Sequence, residues 1–313
     1  MNRIVSSSLV NKWLLFVACL PLFLIGCSGN KNAAAITDTL TTGTINISVD
    51  ESFRPVIDSQ IQVFESLHPE AKIVVHYKSE ADCLRDLDVD SIRMVIVTRG
   101  LSDDEQKQLK DTLTYVPTFG VLAYDAIAAI VNPQTPDSLF TMQDIRSLAK
   151  GTSGMPYKIV MDGKNSTSTV RFIVDSLLKG DKIGANVEGA MGSEAVIDYI
   201  SKNTNAVGLI GVSWIGNSDD PNQSSFLKKV NIASIECRNC LKGPYVKPYQ
   251  ANIYTGRYPM LRPLYYILKE NYDGLGSGFR NFLIYEKGQK VFKRAYLLPA
   301  RMALEVQNID LSE

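Results

Sequence analysis

From Thr44 onward, apolar residues switch between strand and helix spacing, and this alternation constrains the fold more than any other feature of the chain. Residues 45–49 are a short strand. Val56, Ile57, Ile61, Phe64 and Leu67 then share one helical face, and His68-Pro69 ends that helix. Residues 72–77 (KIVVHY) predict a strand, 81–87 a short helix and 93–98 (RMVIVT) a third strand. Ser102 opens the next helix, with Asp103, Asp104 and Glu105 in its first turn, where the helix dipole favours acids. A β-α-β-α-β-α order needs crossover helices, so it predicts a mainly parallel sheet covered by helices.

A second block begins near Ala123. Residues 126–131 (AIAAIV) form a continuous apolar run, as in a strand buried on both faces. Thr141 caps a helix to Lys150 and Gly151 stops it. Residues 158–161 are a strand, 162–171 lead into a helix ending near Lys179, Ser193 opens a helix through Lys202, and 206–210 are a strand. After Tyr245 come Arg262-Pro263, a helical stretch at 278–286 and a terminal helix at 289–295. An α/β chain of this length suits two lobes, each a mixed sheet flanked by helices, joined by two crossing strands.

Residues 1–26 read as an export signal. Arg3 and Lys12 precede the apolar run at 13–25 (WLLFVACLPLFLI), which is short for a membrane span. Leu24-Ile25-Gly26-Cys27 resembles the lipobox of bacterial lipoproteins, which implies cleavage before Cys27 and lipid on its thiol. An ordinary signal peptide or an uncleaved anchor is the alternative. Residues 27–43 read as a flexible tether. The remaining 287 residues carry 31 basic and 33 acidic side chains, a formal charge of −2. No basic run suggests nucleic acid, so any anion must be held by a local site. Cys83 has apolar neighbours at helical spacing and reads as a buried thiol, whereas Cys237 and Cys240 could close a small disulfide loop in an oxidising compartment. His68 and His76 lie too far from that CxxC to complete a zinc site.

Open α/β sheets bind ligands at the carboxyl ends of their strands. Four strand-to-helix turns there carry oxyanion chemistry: Asp50-Glu51-Ser52-Phe53, Tyr77-Lys78-Ser79-Glu80-Ala81, Thr98-Arg99, and Asn165-Ser166-Thr167-Ser168-Thr169 entering the helix that carries Arg171. Hydroxyls and free amides donate to an anion, and an arginine adds a two-pronged cationic donor. The same residues also cap helices.

Five stretches occur in the order found in the PstS family, the phosphate-binding proteins of phosphate ABC importers. They are residues 123–132 (AYDAIAAIVN), 192–196 (GSEAV), 206–211 (AVGLIG), 258–264 (YPMLRPL) and 286–290 (EKGQK). The chain resembles that family over residues 44–300. The resemblance implies a type II periplasmic-binding-protein fold, with lobe 1 formed by residues 44–124 plus 251–313 and lobe 2 by 125–250. It implies no enzyme activity and no cofactor. It also implies a monomer, lipid-anchored on the periplasmic face, that delivers inorganic phosphate to an ABC permease in the inner membrane. The implied phosphate contacts are Ser52, Phe53, Ser79, Thr98, Arg99, Asp125, Ser166, Thr167, Ser168, Thr169 and Arg171. Asp125 is the acceptor for the ligand's proton. Sulfate carries no such proton at neutral pH and would be refused.

The chain departs from the family at Ser79-Glu80-Ala81, where glycine and serine are usual, and at Thr167–Thr169, which lacks the family's glycine. Glu51 and Glu80 bring negative charge toward an anion site. Another oxyanion, a phosphorylated small molecule, or a sensory or structural lipoprotein with a degenerate pocket are the competing readings. No HExxH or GxSxG pattern supports a hydrolase, and Gly163-Lys164-Asn165-Ser166 is only half a P-loop.

Overall fold

A computed structural model describes residues 38–163, 167–217, 219–241 and 243–301. The export signal, Cys27, most of the tether and Ser166 lie outside those residues. The first half runs β1 (Gly43–Asp50), α1 (Arg54–Leu67), β2 (Ala71–Lys78), α2 (Glu80–Arg85), β3 (Ile92–Val97), α3 (Asp103–Leu113) and β4 (Thr118–Val131). The second runs β5 (Leu139–Phe140), α4 (Met142–Lys150), β6 (Lys158–Met161), α5 (Ser168–Phe172), β7 (Val187–Gly189), α6 (Ser193–Lys202) and β8 (Ala206–Gly211). Then α7 (Pro221–Lys229), β9 (Asn231–Ile232), β10 (Ser234–Glu236), β11 (Tyr245–Val246) and α8 (Gln250–Tyr254) lead to β12 (Leu261–Leu268). The described fold closes with α9 (Leu275–Ile284), α10 (Glu286–Arg294) and β13 (Leu298–Pro299).

The main strand order is β2-β1-β3-β12-β4-β8-β6-β7. β1 is parallel to β2 and β3, and β6 is parallel to β7 and β8. β12 returns late in the chain and runs antiparallel to both β3 and β4, so the sheet is mixed, not mainly parallel as the early alternation predicts. β4 joins the two groups of strands. Thr118 to Ala126 pair with β12, and Ile127 to Val131 pair with β8. This is the two-lobed α/β architecture expected from the sequence, with β4 as a crossing strand. The sequence reading found only residues 126–131 of β4, because its first half is partly solvent-facing and interrupted by Gly120 and Tyr124. It missed β12 because Pro263 breaks a strand pattern. The ladder tolerates that proline because β12 pairs with β3 only from Tyr265 onward.

α1 illustrates how the pattern becomes packing. Val56, Ile57, Ile61 and Phe64 are buried, whereas Leu67 is 41% exposed at the helix end. Each buried side chain contributes about 1.5–3 kcal/mol. Phe64 meets Phe279 of α9 edge-on, with ring centroids 5.1 Å apart.

Asp38, which falls within the expected tether, is held in place. Asp38 accepts from Arg93 at 2.8 Å and from the Leu275 amide at the start of α9 at 2.7 Å, which ties residues from 38 onward to the body. Cys83 is free and buried, and burial pushes its thiol up to about 12. Cys237 and Cys240 form a disulfide between β10 and β11. No helix among the described residues is long and apolar enough to cross a membrane.

Candidate functional site

Strand register creates the centre of the site. Asp125 and Arg262 stand directly opposite each other on β4 and β12. Opposed residues share a face, so their side chains meet. Arg262 Nε donates to Asp125 Oδ2 at 2.8 Å, and both residues are buried. Arg262 Nη1 donates to Ser168 Oγ at 2.7 Å and to Thr169 Oγ1 at 3.3 Å. The guanidinium also lies over the Phe53 ring, 4.8 Å from its centroid. Nη2 is buried and has no partner among the described residues. A buried cationic donor left unmatched is costly, which makes it a marker for a ligand site.

Asp162, in the turn after β6, gathers the hydroxyls around this arginine. Its Oδ2 accepts from Ser52 at 2.8 Å and Thr169 at 3.0 Å, and its Oδ1 accepts from Thr167 at 2.7 Å. Ser52 and Ser168 hydroxyls are 3.4 Å apart. Ser52 gives its proton to Asp162, so Ser168, which accepts from Arg262, keeps a proton to donate. The turn carrying Ser52 is held at both ends of its peptide. The Ser52 amide donates to Asp50 Oδ1 at 3.0 Å, and its carbonyl accepts from Trp214 Nε1 at 2.9 Å and Ser213 Oγ at 3.2 Å.

Glu80 organises a second group. It accepts from the Thr98 amide at 2.9 Å, the Thr98 hydroxyl at 2.5 Å and Arg171 Nε at 2.6 Å. Arg171 Nη2 donates to Thr98 Oγ1 at 2.7 Å. Glu51 occupies the start of α6, accepting from the Ser193 hydroxyl at 3.3 Å.

These groups titrate unusually. Burial pushes Asp50 up to about 7, only partly opposed by Arg262, with Glu80 and Asp162 adding to the rise. Burial likewise raises Asp125 against the pull of Arg262. The amides of Ala126 and Val212 favour its charged form, yet none is aligned to donate to its Oδ1. Burial works to raise Glu80 as well, but the bonds from Arg171 and Thr98 outweigh it and leave the carboxyl below its usual range.

Of the residues singled out from sequence, Ser52, Phe53, Asp125, Thr167, Ser168 and Thr169 therefore converge on Arg262 and Asp162. Thr98 and Arg171 meet over Glu80. Ser79 and Arg99 do not join either group. Ser79 caps α2, bonding Asp82 at 2.6 Å. Arg99 forms a two-pronged pair with Glu105, both bonds 2.7 Å, and holds that carboxyl at about 2. Sequence reasoning missed Arg262, Asp162 and Asp50 as site residues. A cavity of about 590 Å³ is lined by both signs of charge, including Arg54, Asp58, Glu194 and Lys229, and by none of the side chains of this cluster. Among the described residues no group of three or more His, Cys, Asp or Glu side chains could hold a metal ion.

Gly211 leaves room for the arginine. A Cβ there would lie 2.9 Å from Arg262 Nη2 and 3.2 Å from the Ser52 carbonyl. Gly211→Ala is expected to displace the guanidinium and lower stability by about 1–3 kcal/mol, read as a shift in the urea midpoint. An unchanged midpoint would show that the strand can shift at no cost.

The sequence profile of the PBP superfamily domain matches residues 34–287. The phosphate-binding protein PstS of Pseudomonas aeruginosa is 23% identical over 322 residues, covering 92% of this chain and 95% of that protein. Two solved structures share the fold. One is a Clostridium perfringens protein described as a phosphate ABC transporter substrate-binding protein and solved with bound phosphate. It has a TM-score of 0.69 and 20% identity, covering 83% of this chain and 100% of its own. The other is an ABC-type phosphate transport receptor from Vibrio cholerae, with a TM-score of 0.59 and 21% identity, covering 82% of this chain and 100% of its own.

Proposed function

This chain belongs to the PBP superfamily, and from that premise we propose that it captures inorganic phosphate between two lobes and delivers it to an ABC permease. The observation that carries this reading is the unmatched, buried Arg262 Nη2 amid the Ser52, Ser168 and Thr169 hydroxyls. The resemblance to PstS proteins along nearly the whole chain supports phosphate as the anion.

On this reading, phosphate accepts from Arg262 Nη2 and from the Ser168 hydroxyl. It donates a hydrogen bond to Asp125 Oδ1, which has no aligned donor among the described residues. Ser52 and Thr169 can turn from Asp162 toward the anion, and Arg171 closes the site from the side of Glu80 and Thr98. The lobes rotate about the crossing strands, with residues 44–124 and 251–313 on one side and 125–250 on the other. Lipid on Cys27 holds the monomer at the periplasmic face of a membrane. Binding at micromolar concentration requires roughly 8 kcal/mol, within reach of several charge-assisted bonds in a dry site.

Isothermal titration of the signal-free protein with phosphate and sulfate tests the reading. Micromolar phosphate binding with no sulfate heat is the expected result. A folded, ligand-stripped protein that gives no phosphate heat would rule phosphate out. One observation favours a second reading, a degenerate pocket: Asp162 and Glu80 already take the donors that an anion would use. Under that reading no small oxyanion raises the melting temperature.

A further inference from the structure

We propose that Asp50 takes up a proton when an oxyanion binds at Arg262, so that capture is coupled to protonation of the protein. This inference rests on the phosphate reading and adds to it a residue outside the expected phosphate contacts.

Three buried polar atoms around the cluster lack aligned partners among the described residues: Arg262 Nη2, Asp125 Oδ1 and Asp50 Oδ2. The first two suit an incoming hydrogen phosphate, which accepts from the guanidinium and donates to Asp125. The third does not. An ionised Asp50 Oδ2 is a second acceptor, with only the Ser168 hydroxyl among the described residues acting on its carboxylate as a side-chain donor, and beside an anion's oxygen it would repel. Protonated, the same atom becomes a donor and completes the set. Its other oxygen is already committed, because Oδ1 accepts the Ser52 amide at 3.0 Å. The new proton therefore resides on Oδ2.

Charge balance points the same way. The groups acting on Asp50 from the elements packed around it are Arg262 on β12, Glu80 on α2, Asp162 after β6, and the Ser168 hydroxyl on α5. Cys83 on α2 is also within electrostatic reach, and its thiol is neutral. Arg171 is tied to Glu80 at 2.6 Å, and Arg262 to Asp125 at 2.8 Å. Two cations thus face four carboxylates, leaving Asp50 and Asp162 uncompensated. Adding an anion to that surplus raises the affinity of Asp50 for a proton. Asp50 already titrates at about 7 before any anion arrives, owing to burial. Near neutral pH it therefore needs only a modest further push.

The sign follows. Above pH 7 the free protein has Asp50 ionised, the complex has it protonated, and binding weakens as pH rises. The expected slope approaches 10-fold in Kd per pH unit. Below pH 7 Asp50 already carries the proton, and its share of the pH dependence disappears, leaving only the ligand's own ionisation.

The test is isothermal titration with inorganic phosphate at pH 8, in HEPES and in Tris, whose ionisation enthalpies differ. Wild-type protein is expected to take up close to one proton per phosphate. Asp50→Asn keeps an oxygen for the Ser52 amide and supplies a permanent donor in place of the proton. It is expected to take up none and to bind phosphate roughly 10-fold tighter than wild type at that pH. A melt followed by circular dichroism verifies that the variant is folded. Phosphate binding by wild type with no proton uptake overturns this inference alone, whether or not the variant folds. The same uptake in wild type and variant also overturns it. No phosphate binding by wild type at any pH overturns both this inference and the phosphate reading.

Discussion

Arg262→Met is expected to weaken phosphate binding at least 100-fold, about 3 kcal/mol, and to cost about 3–5 kcal/mol of stability. The binding loss follows from removing Nη2, the donor without a partner among the described residues. The stability loss follows from what is left behind. Asp125 is fully buried and loses its side-chain partner Arg262. Ser168 and Thr169 lose the cation that organises them. Arg262→Lys keeps a charge but cannot reach Asp125, Ser168 and Thr169 together, because one ammonium replaces a planar fork. Titration calorimetry and urea denaturation on both variants separate the two effects. Wild-type phosphate affinity in a folded Arg262→Met protein would remove Arg262 from the site.

Glu80→Gln is expected to act in opposite directions on binding and stability. Glu80 competes with any anion for Arg171 and for the Thr98 amide and hydroxyl. Neutralising it removes a negative charge near the anion and releases Arg171, so phosphate affinity should rise about 10-fold or more. The buried pair with Arg171 is lost, so stability should fall by about 1–3 kcal/mol. The pH dependence has a defined sign. The folded-state pKa of Glu80 is lowered, so its contribution is present above the ordinary glutamate range and lost as acid protonates it. The variant should therefore lose less stability than wild type on acidification below about pH 4.5. A folded Glu80→Gln protein with unchanged or weaker affinity would show that Glu80 does not obstruct the ligand.

Much of the fold is legible because burial leaves a periodic trace. The helix of Val56, Ile57, Ile61 and Phe64, and the fully buried strand end at 126–131, both lie where spacing puts them. β12 is not legible in that way. Its place between β3 and β4 depends on a pairing across more than 130 residues, and Pro263 disguises it as a turn. The site divides similarly. The hydroxyl turns at Ser52 and Thr167 to Thr169 converge as their chemistry suggests. Ser79 and Arg99 resemble them in sequence, yet a helix start and Glu105 take them locally. Arg262 had one available signal: an arginine within the otherwise apolar run at 258–268 must be paired if that run is buried. Asp50 lies in the first of the four turns marked by sequence, but nothing there sets it apart, since its character comes from burial and from neighbours distant in sequence.

The position of Asp125 and Arg262 bears on the order of events in time. They face each other just before β4 exchanges β12 for β8 as its partner, one residue short of Ala126. Under the lobe rotation proposed above, atoms near such an axle move least, while Glu80, Arg171 and the Glu51–Ser193 contact sweep through longer arcs. An anion would therefore meet a preassembled anchor first, and the outer contacts would close after it. Escape would reverse that sequence, so the outer contacts would have to open before the anchor could release the ligand.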